Sequence, residues 1–327
     1  MVELRFSAGD LAQMRFAVSP MWEVGTSFRL LASGGTHAVH RPWMEQVRPR
    51  VAAAGLQGGW LAELVGPAGY VPDFLNPAPA GPGPTLADEL GHVLAAPEDQ
   101  IRRYLDRLAG ERGLGPRLRA LYAEPRSRLP RLAEEIEAYW ELALSPYWAR
   151  IRVVLEAEVF HRARQAAEYG AAHVLNDLHA SISWNEDTLR LLLRRRALTR
   201  ETAGRGLLLI PSAFTGPGLF SRVTPPDPPQ LAYPARGIGS LWTPRPTVAT
   251  DALAAVLGRS RTRLLTELDA PASTTELAAR TGLSPSGVSQ YLTAMRDAGL
   301  VSAHRASRSV LYARTAAAEA LLTAPAQ

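Results

Sequence analysis

The chain has 327 residues, 46% of them hydrophobic, a net charge of +5, and arginine as every one of its 36 basic residues other than histidine. That length fits one large or two modest domains, and the apolar share is ample for packed cores. With no Cys, disulfides, thiolate metal sites and cysteine nucleophiles are excluded together.

Nothing approaches the roughly 18 consecutive apolar residues of a membrane span, and residues 1–10 lack the apolar run of a secretory signal. A cytoplasmic protein with no membrane association is expected. In chain order, residues 2–6 alternate and predict a short strand, and 9–16 a helix. Ser19-Pro20 opens a helix reaching about residue 32, with Trp22, Phe28 and Leu31 offered to a core. Residues 37–54 read as helix broken at Pro42 and Pro49, and 76–84, NPAPAGPGP, as a loop. Helices follow over 85–95, 97–109, 127–144 and 146–178. The period then changes. Residues 188–194, 206–211 and 230–234 read as strands of a small antiparallel sheet, which 2–6 can join. Residues 243–250, TPRPTVAT, read as a linker.

Beyond the linker, 251–257 and 261–268 read as helices. Ser273 with Glu276 forms a capping box, and Gly282 stops the helix it starts. Ser284 caps a second helix with Pro285 in its first position, ending near Ala298-Gly299. At about 100° per residue, Val288, Tyr291, Leu292 and Met295 share one face. Ser286, Gln290, Thr293 and Asp297 share the other, with Ser289 beside them. Such a small polar face suits a helix entering a groove about 12 Å wide. Residues 300–304 and 309–314 pair as a hairpin with Arg305 and Arg308 at its tip. The basic charge is local: 296–314 holds four Arg against Asp297 alone. That matters because phosphate contacts are short-range.

The run TELAARTGLSPSGVSQYLTAMRDAGLV and the hairpin RASRSVLYAR closely resemble the winged helix-turn-helix of the ArsR/SmtB family of bacterial repressors. The resemblance implies DNA contact by Ser284, Ser286, Ser289, Gln290, Thr293 and Arg296 on the second helix and by Arg305 and Arg308 on the wing. It covers about the last quarter of the chain. The motifs SPMWEVGTSFRLL, GRGLLLIPSAF and LAYPARG resemble the uncharacterised region that precedes this DNA-binding domain in many actinobacterial regulators. The fold class expected is therefore mainly α with small β elements. A helical effector-sensing domain spans 1–242, a linker 243–250 and a winged helix-turn-helix 251–327.

Metal sensing, the usual role in that family, lacks its residues here. The run matching the thiolate site has no Cys, and 315–322 offers only Glu319. Two Glu-x-x-His runs, Glu89–His92 and Glu158–His161, have di-metal spacing. His92 falls away from the apolar stripe of Leu86, Leu90 and Val93, and solvated polar faces are expected instead. His37 and His40 share a helical face without a third ligand. Ser181 and Ser183 near His179 have only Asp187 as an acidic partner, and no nucleophile-elbow, phosphate-loop or dinucleotide motif occurs. No catalytic residue, metal or cofactor is expected. Trp22, Trp43, Trp60, Trp140, Trp148 and Trp184 serve either a core or an apolar pocket, and Glu23, Arg152 and Asp177 either anchor a ligand or pair ionically.

The expected function is a DNA-binding repressor responding to a small organic effector. One recognition helix makes too few contacts, so a homodimer on a palindromic operator is expected, joined by helices 251–257 and 316–322. The alternative is an enzyme or metal-binding N-terminal domain with an attached autoregulatory DNA module. A constitutive structural DNA binder is a third reading.

Overall fold

The computed structural model describes residues 2–35, 37–192, 198–201, 205–225, 227–243, 250–306 and 309–323. The fold is mainly helical, with three small sheets among these residues. No described helix is long and apolar enough to cross a membrane. Two compact units form, and they interleave along the chain. The first gathers Met1–His37, Gly59–Ala133 and Val154–Ile238; the second gathers Ala38–Gly58, Glu134–Val153 and Gly239–Gln327. The division expected from the sequence was linear; in space, 38–58 and 134–153 join the C-terminal segment.

The first unit contains two four-stranded sheets where one antiparallel sheet was expected, and both are mixed. In one, Val2–Arg5 lies between Thr188–Leu191, antiparallel, and Leu198–Glu201, parallel, with Ile182–Asn185 outermost beyond Thr188–Leu191. In the other, Leu207–Ser212 is central and every residue of it is buried. It runs parallel to both Met14–Phe16 and Gln230–Pro234, and Phe220–Arg222 closes the edge antiparallel. Its unbroken LLLIPS run is the pattern of a strand covered on both faces. The helix expected over 9–16 is corrected: Ala8–Ala12 is helical, and Met14–Phe16 turns into a strand because Leu207–Leu209 offers it a ladder. At that junction Gly206 has φ +74°, and its N–H donates to Asp10 Oδ1 at 2.9 Å. A Cβ there would meet Gln13 O at 2.4 Å, so only glycine fits.

The helix Pro20–Ala32 starts where expected. Ser19 caps it, accepting from Trp22 N–H. Glu89 was expected on a solvated face and instead is 1% exposed. Ser19 Oγ donates to its Oε1 at 2.6 Å and Met21 N–H to its Oε2 at 2.8 Å, so it closes the positive end of this helix. Glu23, expected to pair ionically or anchor a ligand, is fully buried and accepts from Ala213 N–H at 3.1 Å. Burial raises the Glu23 carboxyl from the usual 4.5 to about 8, and the Glu89 carboxyl to about 7. Both groups therefore bind protons more tightly folded than unfolded. Their stabilising contribution is complete below the unfolded value and is lost as pH rises through the folded ones. Stability should fall from pH 5 to pH 8, and Glu23→Gln should flatten that fall. Urea melts at both pH values check this; parallel profiles for the two proteins would contradict it.

Two other expectations are corrected. Residues 37–40 are not helical: the helix is Arg41–Ala53, with Pro42 in its first turn, where no N–H is needed, and Pro49 inside it without ending it. The long helix over 146–178 is two, Trp148–Tyr169 and Ala171–Leu178, divided where Gly170 takes φ +84°. Helices Trp60–Leu64 and Pro116–Ala123 were not anticipated.

Candidate nucleic-acid interface

The second unit presents helix, turn, helix and hairpin in the order expected. Ser273 starts Thr274–Thr281 through a reciprocal capping box: its N–H donates to Glu276 Oε2 at 2.7 Å, and Glu276 N–H donates to Ser273 Oγ at 3.3 Å. Gly282 ends it in the left-handed region, φ +65°. Ser284 Oγ then accepts from Gly287 N–H at 3.2 Å and starts Pro285–Asp297. Val288, Leu292 and Met295 of that helix are 1% exposed or less and pack with Leu264, Leu265, Leu268, Leu277 and Val301. Tyr291, expected in the same stripe, is half-buried, with the Arg261 guanidinium 5.2 Å over its ring.

The opposite face is exposed along its length: Ser284, Ser286, Ser289, Gln290, Thr293 and Arg296. The Ser284 hydroxyl is engaged as the cap and lies 3.3 Å from Ser286 Oγ. Arg296 pairs with its exposed neighbour Asp297. Val301–Ala306 and Ser309–Arg314 pair in register, Arg305 opposite Val310, and Ala272–Ser273 adds a third strand. Arg305 is exposed near the hairpin tip. Arg308 lies outside the described residues.

The basic patch counted from the sequence needs one correction. Arg314 is 7% exposed and structural. It donates to Leu265 O and Thr266 O, each at 2.6 Å, and pairs with Asp269 and Glu319. Sequence reasoning missed Arg261 and Arg280, exposed cations on the two helices beside the recognition helix. The R-S-R-T-R run at 259–263 was the available signal for the first.

The hairpin and its helices are braced by segments distant in sequence within the same unit. His304 Nε2 lies 2.7 Å from Ser302 Oγ, and its Nδ1 3.2 Å from Ser145 Oγ and 3.3 Å from Glu141 Oε2. Arg150, 7% exposed, donates to Asp269 O at 3.0 Å and Thr243 O at 2.7 Å. Trp43 stacks on Trp242 with centroids 6.4 Å apart, and Trp242 Nε1–H donates to His40 Nδ1 at 3.0 Å.

The remaining candidates are engaged in local structure. Both oxygens of Glu158, also expected on a solvated face, are held inside the protein by Arg162 and Arg236, each at 2.7 Å. His92 is exposed against Asp88 O. His179 accepts from Ser181 N–H at 3.0 Å on one ring nitrogen and sits 3.0 Å from Pro217 O on the other, so it does not face a serine hydroxyl. Asp187 takes the Thr188 hydroxyl. Asp177 pairs with Arg162, and Arg152 is exposed. Among the described residues no group of three or more His, Cys, Asp or Glu is placed to hold a metal. Trp140 packs edge-on against Trp148, and Trp184 against Phe6. Trp22 lines a cavity of about 510 Å³ in the first unit; the other five candidate tryptophans do not.

Comparison with known families agrees with this geometry. Residues 262–303 match the family described as bacterial regulatory protein, arsR family, and residues 101–239 match a family of unknown function (DUF5937). No curated protein and no solved structure matches the chain. An arsR-family helix-turn-helix, joined to a domain of a family without an assigned function, makes the chain a DNA-binding transcriptional regulator.

Proposed function

We propose that the chain is a cytoplasmic repressor that binds a palindromic operator as a homodimer and responds to a small organic ligand through its first unit. One observation carries the DNA reading. The helix Pro285–Asp297 buries Val288, Leu292 and Met295 on one face and leaves Ser286, Ser289, Gln290, Thr293 and Arg296 exposed as a polar surface. Small side chains at its N-terminal end let the backbone approach base edges. Gln290 has the amide that pairs with adenine, Ser286, Ser289 and Thr293 supply hydroxyls, and Arg296 lies where the helix leaves the groove. Ser284 combines its cap with a phosphate contact. Arg305, with Arg308 beyond it, holds the backbone next to the groove.

The dimer reading is supported by Val256, 80% exposed, and Leu321, 40% exposed, on the helices Thr250–Leu257 and Ala316–Thr323. Apolar side chains so placed are what a second copy would cover. The helices Pro125–Ala143 and Trp148–Tyr169 each supply residues to both units, which gives a ligand event a covalent route to the DNA-binding unit. A ligand acts here by favouring one spacing of the paired recognition helices.

Gln290→Ala should relax base choice at one operator position and cost about 1–3 kcal/mol of binding. Arg305→Ala should weaken binding to all sequences and reduce the salt slope by about one. Fluorescence anisotropy on operator and scrambled duplexes over a salt series separates the two. Unchanged base preference in the first variant together with an unchanged slope in the second would overturn the reading.

A further inference from the structure

The cavity in the first unit joins two chemistries. Trp22, Val71, Leu219, Phe220 and Val223 give it an apolar wall, and Arg29, Arg107 and Arg222 bring guanidinium groups to it. Its volume, about 510 Å³, falls within the range of about 300–1,000 Å³ common for small-molecule sites. Phe220 and Arg222 project from the same face of one strand, two residues apart, and the Arg29 guanidinium lies 5.3 Å over the Phe220 ring.

The guanidinium donors there are not all used. The Arg222 side chain is 4% exposed, and one of its nitrogens, Nη2, pairs with Asp227. Its Nε and Nη1 are buried without a well-formed hydrogen bond among the described residues, the Tyr104 hydroxyl being the polar group that interacts with this guanidinium from outside the cavity lining. Arg29 donates from Nη2 to Gly69 O at 2.8 Å, and its Nε is buried in the same unpartnered way. Buried charged donors left without acceptors are costly, and native proteins keep few of them. Of the acids on the cavity, Glu111 takes Tyr70 N–H at 3.2 Å and pairs with Arg107 at 3.8 Å. Burial, with repulsion from Arg112, lowers the Arg29 guanidinium to about 10, and an anion beside it would relieve both effects.

Resting on the reading of the chain as a ligand-responsive regulator, we propose that this cavity binds a small organic carboxylate with an aromatic or alicyclic body. The body lies against Trp22 and Phe220, and the carboxylate takes the open donors of Arg222 and Arg29. A planar guanidinium fork suits a carboxylate and also stacks on rings, so three arginines around aromatic walls discriminate both ends of one ligand.

Titration calorimetry of the full-length protein with 1-naphthylacetate and with its neutral amide tests this directly. The carboxylate should bind at least about tenfold more tightly than the amide, as expected for charge-assisted hydrogen bonds. Arg222→Gln should erase that preference and Arg222→Lys should keep part of it. Leu219→Trp, which fills the cavity from a half-buried position, should block both compounds and covers the case in which Arg222→Gln does not fold. Equal affinity for acid and amide, a preference that survives Arg222→Gln, or no binding of either compound would overturn the proposal. Operator affinity is read in a separate titration. Carboxylate binding without any change in operator affinity would uphold the site and refute ligand response.

Discussion

Ser289→Glu should abolish sequence-specific duplex binding, with affinity falling by at least about a hundredfold, while the melting temperature stays close to wild type. Ser289 is exposed on the helix Pro285–Asp297, so the new carboxylate meets water in the free protein. Exposed substitutions away from special features change stability by about 0.5 kcal/mol or less. On DNA the same carboxylate would be buried among phosphates and base edges. Like-charge juxtaposition at an interface costs several kcal/mol, and each 1.4 kcal/mol is about tenfold in affinity. Ser289→Ala, which removes only a hydroxyl, should lose far less. A gel-shift titration of the three proteins, with thermal melts alongside, separates charge from folding. Wild-type affinity in Ser289→Glu would mean that this face does not meet DNA.

Arg314→Ala should destabilise the second unit by about 3–5 kcal/mol, the usual cost of breaking a buried ion pair by removing one partner. The loss follows from what the side chain holds. Two carbonyls at the end of Arg259–Glu267 lose donors at 2.6 Å, and the carboxylates of Asp269 and Glu319 lose the guanidinium they pair with. The hairpin strand, the helix Arg259–Glu267 and the helix Ala316–Thr323 meet at this one guanidinium. Arg314→Lys should not rescue it, because an ammonium lacks the planar fork that reaches both carbonyls and both carboxylates. Urea unfolding of the full chain, expected to show a separate early transition for this unit, measures the effect. A wild-type curve would contradict the structural role and return Arg314 to the DNA-facing patch.

Arg314 also marks how far a sequence can be read. The capping boxes, the Ser284-Pro285 start and the apolar stripe of Val288, Leu292 and Met295 were legible because each rests on interactions within four residues. The burial of Arg314 was not, because its partners Leu265, Thr266 and Asp269 lie some 45–50 residues away. The same reason explains Met14–Phe16, a strand only because Leu207–Leu209 lies beside it. Glu89 reads as a solvated helical residue until Ser19 and Met21 are folded onto it. The break at Gly170 was signalled by its glycine and passed over. The cavity had no signature at all: Trp22, Tyr70, Arg107 and Phe220 come from four separate segments.

Selection of random duplexes by the purified full-length protein, followed by sequencing and footprinting of the enriched pool, reads out whether the helix Pro285–Asp297 recognises a DNA sequence. The expected result is an inverted repeat with half-sites centred about 10 base pairs apart, the spacing of paired recognition helices on one face of DNA. The pool should lose its consensus when Ser289→Glu performs the selection. A wild-type pool that never departs from random, or an identical consensus from the Ser289→Glu protein, would contradict the assignment of sequence reading to the helix Pro285–Asp297.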